Sequence, residues 1–156
     1  MTDTITRERI RQMLGAHAFT KGLPESEIDS LAELASLREF EAGETIFEAG
    51  AEADTFYLIR SGLVALDVET GRVVPRTIQQ IAEGSALGWS WLLPPFVWQF
   101  AAVARSPVRT ICFNAVELRD HFEANPMCGY HVLAKVAEVM ADRLHATRRQ
   151  LLNVVA

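Results

Sequence analysis

The sequence predicts a mainly β fold with flanking helices, in which about eight short strands form a jelly-roll barrel. Two observations support this prediction. From Leu37 to Ile81, short apolar runs alternate with glycines, as they do in antiparallel strands joined by tight turns. Before Leu37 and after Phe113, apolar residues recur instead at helical spacing. N-terminal helices and a long C-terminal helix are therefore expected to flank the barrel.

Two helices are predicted ahead of the barrel. Residues 6–16 form a short helical pattern whose apolar side carries Ile10, Met13 and Leu14. We treat residues 1–18 as an N-terminal helical segment that is either mobile or docked. The second helix is predicted to start at Pro24, a residue suited to the first helical position, and to end near Ser36. Its apolar residues, spaced for one face, are Ile28, Leu31, Leu34 and Ala35.

The predicted strands follow from the positions of the apolar runs. Glycines at 43, 50, 62 and 71 separate the first runs, where a jelly roll has to turn. Pro75 indicates an edge strand or the start of a strand, because proline donates no backbone hydrogen bond. The runs lie around Phe40 and at residues 46–47, 56–59, 63–68, 73–81, 101–104 and 108–113.

The last third of the chain is predicted to be helical. Asn114 is a suitable N-cap for a helix over residues 115–123, and a glutamate three residues later completes a capping arrangement. Asn125 and Pro126 then interrupt the chain before a long helix over residues 127–154. The two predicted helices therefore follow the last strand without a long linker.

The long helix carries two apolar stripes. One has alternating steps of four and three residues, the spacing of a coiled-coil seam, and contains Leu133, Ala137, Met140, Leu144, Thr147 and Leu151. The other contains Val132, Val136 and Val139. We expect the valine stripe to face the barrel and the seam to form a homodimer with a twin helix. The alternative is one wide apolar face that lies entirely on the barrel.

Composition and charge restrict the class of protein. The 156 residues fit one domain, with 49% hydrophobic and 22% charged residues. Residues 1–11 do not resemble a secretory signal and no apolar run is long enough to cross a membrane, so a cytoplasmic protein without membrane partners is expected. The net charge of −5 disfavours direct nucleic-acid binding. Cys112 and Cys128 lack metal-ligand spacing and are predicted to be free buried thiols.

Residues 84–101, which we call the tryptophan segment, interrupt the strand pattern. The segment contains all three tryptophans (Trp89, Trp91 and Trp98) and a diproline, and it carries no charge. We expect the three tryptophans to be largely buried and at least one of them to line a ligand space. The alternative is that the aromatic side chains only fill the protein's own core.

The strand and turn residues resemble the cyclic nucleotide-binding domain, the sensor half of catabolite-activator-type regulators. The residues that carry the resemblance are Gly43, Ile46, Phe47, Gly50, Asp54, Phe56, Tyr57, Ile59, Ser61, Gly62, Val64 and Leu66. In the terminal helix they are Asn125, Pro126, Arg143, Leu144 and Thr147. The resemblance extends from about Phe19 to Leu152, which implies a domain over residues 19–156 that includes the C-terminal dimerisation helix.

In that family the tryptophan segment corresponds to the phosphate-binding cassette. The family's cassette has a Gly and a Glu that start a short helix, and an Arg and a hydroxyl residue that hold the phosphate. Gly88 keeps the glycine, but Trp89, Gln99 and Phe100 replace the Glu, the Arg and the hydroxyl residue. Loss of the charged contacts removes the usual recognition of cyclic AMP. The segment is similar to that of a subgroup of short family-like proteins with Trp and Pro in the cassette.

The resemblance implies a set of ligand contacts and leaves the replacement of the arginine open. The implied contacts are Leu66, Leu87, Gly88, Trp89, Ser90, Trp98, Gln99, Phe100, Ala101 and Thr147. For Thr147 the alternative is a place in the dimer seam. A spare arginine could pair with a phosphate instead of Gln99; the candidates are Arg76, Arg105 and Arg109.

These observations favour a ligand-sensing regulatory domain whose ligand is a cyclic nucleotide or another small molecule. The alternative is a dimeric scaffold or interaction module that binds no ligand. We expect no enzyme, no catalytic residues and no metal site, because Cys112 with His121 or His131 is not a catalytic pattern. No DNA-binding module follows the long helix before Ala156, so control through a partner protein is expected instead of direct DNA binding.

Overall fold

The computed structural model describes residues 2–71 and 73–155 and confirms a mainly β fold with flanking helices. Two helices precede the β region, and two follow it. The elements are α1 (Thr2–Ala16), α2 (Glu25–Leu34), β1 (Ala35–Phe40), β2 (Thr45–Phe47), β3 (Thr55–Ser61), β4 (Val64–Val68), β5 (Arg76–Ile81), β6 (Ala101–Ala104), β7 (Val108–Asn114), α3 (Ala115–Ala124) and α4 (Pro126–Val155).

The strands form two antiparallel sheets, of three strands in the order β1-β7-β3 and of four in the order β2-β6-β4-β5. Seven strands are thus named in the described part of the chain, against about eight predicted. Backbone pairing also continues outside them. The Gly50 amide donates to the Trp98 carbonyl at 2.8 Å, and the Ala53 amide donates to the Phe96 carbonyl at 2.7 Å. Residues 50–53 and 96–98 therefore extend the jelly-roll arrangement.

Two predicted boundaries shift for backbone reasons. The strand expected over residues 73–81 begins only at Arg76, after Pro75, while Val73 and Val74 lie exposed in the preceding turn. Helix α2 ends at Leu34, and Ala35 already pairs with Phe113 of β7. Ladder pairing with β7 therefore overrides the helical spacing that placed Ala35 in the helix.

Helix α1 is docked on the body. Its Ile10 and Leu14 side chains are buried in the common core, and the helix packs against α2. The loop after α1 is fixed to β3, because His17 Nε2 donates to the Ile59 carbonyl at 2.7 Å and the Phe19 amide donates to His17 Nδ1 at 3.1 Å. The packing supports the docked alternative, and the division of the chain at residue 18 stays a prediction.

The C-terminal helices follow their predicted starts and patterns. The Glu117 amide donates to Asn114 Oδ1 at 3.0 Å, which confirms Asn114 as the N-cap of α3. In α4, Val132 and Val136 are buried against the body. Leu133, Leu144 and Leu151 are 51%, 53% and 64% exposed, so the apolar residues of α4 do not form a single wide face that is buried on the barrel.

Two smaller predictions also concern the described residues. Cys112 and Cys128 are buried free thiols, as predicted. In the part of the chain that the structure describes, no helix is long and apolar enough to cross a membrane.

Candidate functional site

A cleft of about 420 Å³ lies between the tryptophan segment, strand β5 and helix α4. We call it the α4 cleft. Its wall is mostly apolar, with a few polar groups. The lining residues are Ile78 and Gln79 from β5, Trp89 and Phe100 from the tryptophan segment, and Met140, Ala141, Arg143, Leu144 and Thr147 from α4. The volume is in the range of small-molecule sites in proteins.

Glycines set the course of the tryptophan segment at the cleft. Gly84 and Gly88 have φ values of 85° and 86°, which favour glycine. A Cβ atom on Gly88 would lie 2.9 Å from the Trp98 ring, so the backbone at this point passes directly over a buried indole. The turn at Gly88 then directs Trp89 outward, where its half-buried ring reaches the cleft.

The other two tryptophans belong to the core. Trp98 is buried and stacks on Phe47, with ring centroids 3.8 Å apart. Trp91 is buried and stacks on Phe56 at 4.4 Å, and its carbonyl accepts a hydrogen bond from Arg119 Nη1. The burial expected for Trp91 and Trp98 is confirmed, whereas Trp89 is only half-buried and lines the cleft.

Arg143 is the buried charged residue of the cleft. Its residue surface is only 8% exposed, and its Nη2 atom donates to the Ala86 carbonyl in the tryptophan segment. Its guanidinium carbon lies 5.3 Å from the centre of the Trp89 ring, which is a cation–π contact. Burial lowers the pKa of Arg143 to about 10, because removal from water penalises the charged form. The side chain is still a cation at neutral pH.

The predicted ligand contacts do not all reach the cleft. Trp89, Phe100 and Thr147 do, from three separate parts of the chain. Gly88 lies beneath Trp89, over the Trp98 ring. The remaining predicted contacts lie elsewhere: Leu66, Leu87 and Trp98 are buried in the core, Ser90 is half-buried outside the lining of the cleft, and Gln99 and Ala101 line a different groove.

Gln99 lies on the side of the tryptophan segment opposite to the cleft. Trp98 is buried and Phe100 lines the cleft, whereas Gln99 between them is exposed. There its Nε2 atom donates to the Val97 carbonyl at 3.2 Å, and the groove around it also contains Glu48, Asp67 and Glu69. Gln99 therefore does not contribute to the α4 cleft.

The spare arginines considered from sequence also lie elsewhere. Arg105 donates to Thr77 Oγ1 at 3.0 Å and lies 3.9 Å from Asp67, and Arg109 pairs with Glu39 at 3.5 Å. Arg76 starts β5 at the exposed turn. None of the three lines the α4 cleft, where Arg143 supplies the positive charge instead.

A sequence signal for Arg143 was present in the valine stripe of α4. Residues 132, 136 and 139 continue at the same helical spacing to residue 143, which places an arginine on the side that faces the body. A charged residue on a buried helical face needs a partner or a function. From sequence, Arg143 is part of the family pattern of the terminal helix and is not among the predicted ligand contacts.

The cassette itself has a different local structure from the one that the resemblance implies. Residues 89–96 form turns, such as the bond from the Leu92 amide to the Trp89 carbonyl at 3.0 Å, and no helix. A helix N-terminus, whose free amides bind phosphate in the family's cassette, is therefore missing here. Among the described residues, no group of three or more His, Cys, Asp or Glu side chains has the geometry of a metal site.

Comparison with known proteins agrees with this architecture. Residues 37–125 match the family model of the cyclic nucleotide-binding domain. A protein of Geobacter metallireducens described as cyclic nucleotide-binding is 27% identical, with a TM-score of 0.75 over 90% of this chain and 98% of that one. The regulatory subunit of a cAMP-independent protein kinase A from Trypanosoma cruzi, solved with guanosine, is 26% identical, with a TM-score of 0.75 over 98% of this chain and 52% of that one.

A curated relative is much longer than this chain. Glutaminase 2 of Bradyrhizobium diazoefficiens is 22% identical over 138 residues, which are 88% of this chain and 21% of the glutaminase. The chain thus spans about a fifth of that relative and about half of the trypanosome subunit. The shared part alone does not establish an enzyme activity.

Proposed function

The chain belongs to the cyclic nucleotide-binding domain family, a family of regulatory domains, and from this premise we propose that it senses a small molecule other than cyclic AMP. The observation that carries the proposal is the α4 cleft, where Trp89 and Phe100 face residues of α4. Aromatic rings opposite Met140 and Leu144 provide stacking and apolar contact for a flat ring. The ligand that fits this wall is a planar aromatic molecule of nucleoside size.

Three features of the cassette argue against cyclic AMP in the family's usual position. The segment has no helix N-terminus for the phosphate, Gln99 faces away from the cleft, and Phe100 presents a ring where the family has a hydroxyl. Each lost charge-assisted contact is worth about 1.5 to 3 kcal/mol. Loss of two or more therefore weakens binding by several orders of magnitude.

A relative supports an aromatic ligand without a cyclic phosphate. The Trypanosoma cruzi kinase subunit is described as cAMP-independent and was solved with guanosine. We carry over only an aromatic ring without a cyclic phosphate, because this chain corresponds to about half of that protein. Any flat base can stack on Trp89 and Phe100, so these contacts do not distinguish one base from another.

The seam of α4 supports a homodimer as part of the same function. Its exposed leucines follow coiled-coil spacing, and Met140, Leu144 and Thr147 both belong to the seam and line the cleft. A ligand in the cleft would therefore contact side chains that a twin helix also contacts. We propose that the sensed signal passes through α4 to a partner protein.

The domain acts by binding in this proposal and not as an enzyme. The cleft residues include no nucleophile with an adjacent base, since Arg143 and Thr147 are its strongest polar groups. A net charge of −5 is unfavourable for direct DNA binding, and a cytoplasmic location is proposed with this role.

A dimeric scaffold without a ligand is the second candidate function. Trp91 and Trp98 support it, because both fill the core and stabilise the tryptophan segment without any ligand. The two candidates differ at Trp89, which a scaffold would not need as a contact surface.

Fluorescence titration combined with native mass spectrometry separates the two candidates. We expect guanosine or another nucleoside to change the emission of the wild type and to add its mass to the native protein. Trp89→Ala is expected to weaken that binding at least about tenfold, while Val116→Ala on the surface of α3 serves as the control. A wild type that binds none of the nucleosides and carries no copurified molecule would favour the scaffold.

A further inference from the structure

Arg143 has unused hydrogen-bonding capacity in a buried position. One guanidinium nitrogen, Nη2, donates to the Ala86 carbonyl, while Nη1 is buried and has no hydrogen-bond partner among the described residues. The residue surface is 8% exposed, and Nη1 itself is buried. The side chain lines the α4 cleft beside Trp89.

The charge of Arg143 is also uncompensated. The ion pairs formed by the described residues involve Arg11, Arg105, Arg109 and His131, and none involves Arg143. Arg143 is the only charged residue among those that line the α4 cleft. A buried cation without an anion is costly, and proteins keep such groups where a ligand supplies the opposite charge.

The surroundings of Arg143 define the shape of that ligand. The Trp89 ring makes a cation–π contact with the guanidinium, and Phe100, Ile78, Met140 and Leu144 provide apolar surface next to it. A ligand in this cleft therefore meets one strong cationic donor at the edge of an aromatic and aliphatic wall. Arginine binds carboxylates and related anions with two parallel hydrogen bonds.

We propose that Arg143 is the anion-recognition residue of the α4 cleft and that the ligand is a planar aromatic acid, whose acidic group pairs with the guanidinium while its ring contacts Trp89 and Phe100. This inference rests on the proposed sensing function and narrows its ligand class. Arg143, on helix α4, thus takes the role of the arginine that the family carries in its cassette. The acidic group is a substituent of the ligand's aromatic ring, so the ligand needs no ribose phosphate.

Naphthalene-2-carboxylate and naphthalene-2-carboxamide form a matched pair of probes with nearly the same shape and different charge. In calorimetric titrations of the full chain, the wild type is expected to bind the carboxylate at least about tenfold more tightly than the carboxamide. Arg143→Gln is expected to remove this preference, and Arg143→Lys to keep part of it. Arg105→Gln, which removes an exposed arginine outside the cleft, is the control and should keep the full preference.

The probes and variants give distinct outcomes for the two proposals. Equal affinity of the wild type for both probes, or no binding of either, overturns the anion site, and this comparison does not depend on any variant folding. If guanosine still binds in that case, the sensing function stands without the anion site. If neither guanosine nor either naphthalene probe binds, both proposals fail. A preference that survives in folded Arg143→Gln also overturns the role of Arg143.

Discussion

At the residue scale, Arg143 is expected to lower the stability of the ligand-free fold and to strengthen ligand binding. Its pKa is lowered to about 10 by burial, so the folded protein holds this cation less favourably than water does. The Ala86 carbonyl would not be left unpaired without Arg143, because the Ser85 hydroxyl also donates to it at 3.3 Å. A side chain that lowers the stability of the fold and lines a cleft is typical of a functional site.

We therefore expect Arg143→Met to raise the free energy of unfolding of the ligand-free protein by about 1 kcal/mol. Methionine keeps the length of the stem and needs no partner for a charge. Chemical denaturation at neutral pH measures the change. A loss of stability of similar size would show that the guanidinium stabilises the ligand-free fold and would contradict the account of Arg143 as an uncompensated cation.

Gly88 tests how closely the tryptophan segment packs. Gly88 and Gly50 share a φ of 86°, but only at Gly88 would a Cβ atom meet a neighbour, the Trp98 ring. Gly88→Ala is expected to cost about 1 to 2 kcal/mol more stability than Gly50→Ala, because both introduce backbone strain and only the first introduces a clash. Urea denaturation of both variants gives the difference. Equal losses would mean that Trp98 can move away from the turn.

His17 gives the fold a pH dependence. Burial lowers the pKa of His17 from 6.5; the Ile59 carbonyl opposes this effect, and the Arg60 charge adds to it. The folded state thus binds a proton less readily than the unfolded chain. The contribution of His17 to stability is present above pH 6.5 and is lost as the pH falls toward the lower folded value.

We expect His17→Gln to lose less stability than the wild type between pH 7 and pH 5, because glutamine can donate to the Ile59 carbonyl without taking up a proton. Thermal unfolding at several pH values in this range measures how steeply the stability of each protein changes with pH. Identical slopes for the two proteins would rule out His17 as the source of the pH dependence.

Sequence could predict that Trp89 and Phe100 differ from the family's cassette and that Trp91 and Trp98 are buried, because each prediction follows from residue type and position in the segment. The outward direction of Gln99 needed the local backbone course, since a one-residue change in register reverses the face. Arg143 required the packing of α4 on the body. Helical spacing placed it on the inner face, but sequence did not show that Arg143 is absent from the ion pairs of the described residues.

At the element scale, helix α4 has two separate apolar surfaces. The valine stripe contacts the body, and the exposed leucines of the seam face solvent in the single chain. Sequence could predict both stripes from their spacing, and the structure assigned the valine stripe to the body. Burial decided between the alternatives, because spacing alone fits one wide face or two narrow ones equally well.

The seam predicts that the wild type is a dimer that Leu133→Glu and Leu144→Glu convert to a monomer. Glutamate at either position places charge in the centre of the seam. Val116→Glu is the matched control, because Val116 on α3 is 54% exposed and Leu133 is 51% exposed. Light scattering after size exclusion gives the mass. A wild-type monomer, or a dimer that persists in Leu144→Glu, would contradict the seam.

The element boundaries that differ from the sequence prediction share a cause. Ladder pairing across the sheet placed Ala35 in β1, and the missing amide hydrogen of Pro75 moved the start of β5 to Arg76. The first effect depends on a strand that is distant in sequence, and the second depends on whether a residue has an amide hydrogen for the ladder. Periodicity within a short window cannot detect them.

At the scale of the whole molecule, the fold could be predicted because local signals agree with it. Glycine turns, short apolar runs and a long amphipathic helix all indicate the same jelly-roll arrangement, and the family match over residues 37–125 covers nearly all of the β region and all of α3. The cleft could not be predicted in shape, because it is formed by β5, the tryptophan segment and α4, which are far apart in sequence.

We propose that this member of the cyclic nucleotide-binding family binds its ligand in an aromatic cleft and not at the family's phosphate site. Isothermal titration of the full chain with cyclic AMP and with guanosine at physiological salt tests this proposal. Guanosine is expected to bind at least about tenfold more tightly than cyclic AMP, and Trp89→Ala is expected to weaken guanosine binding. A low-micromolar dissociation constant for cyclic AMP, unaffected by Trp89→Ala, would contradict the claim.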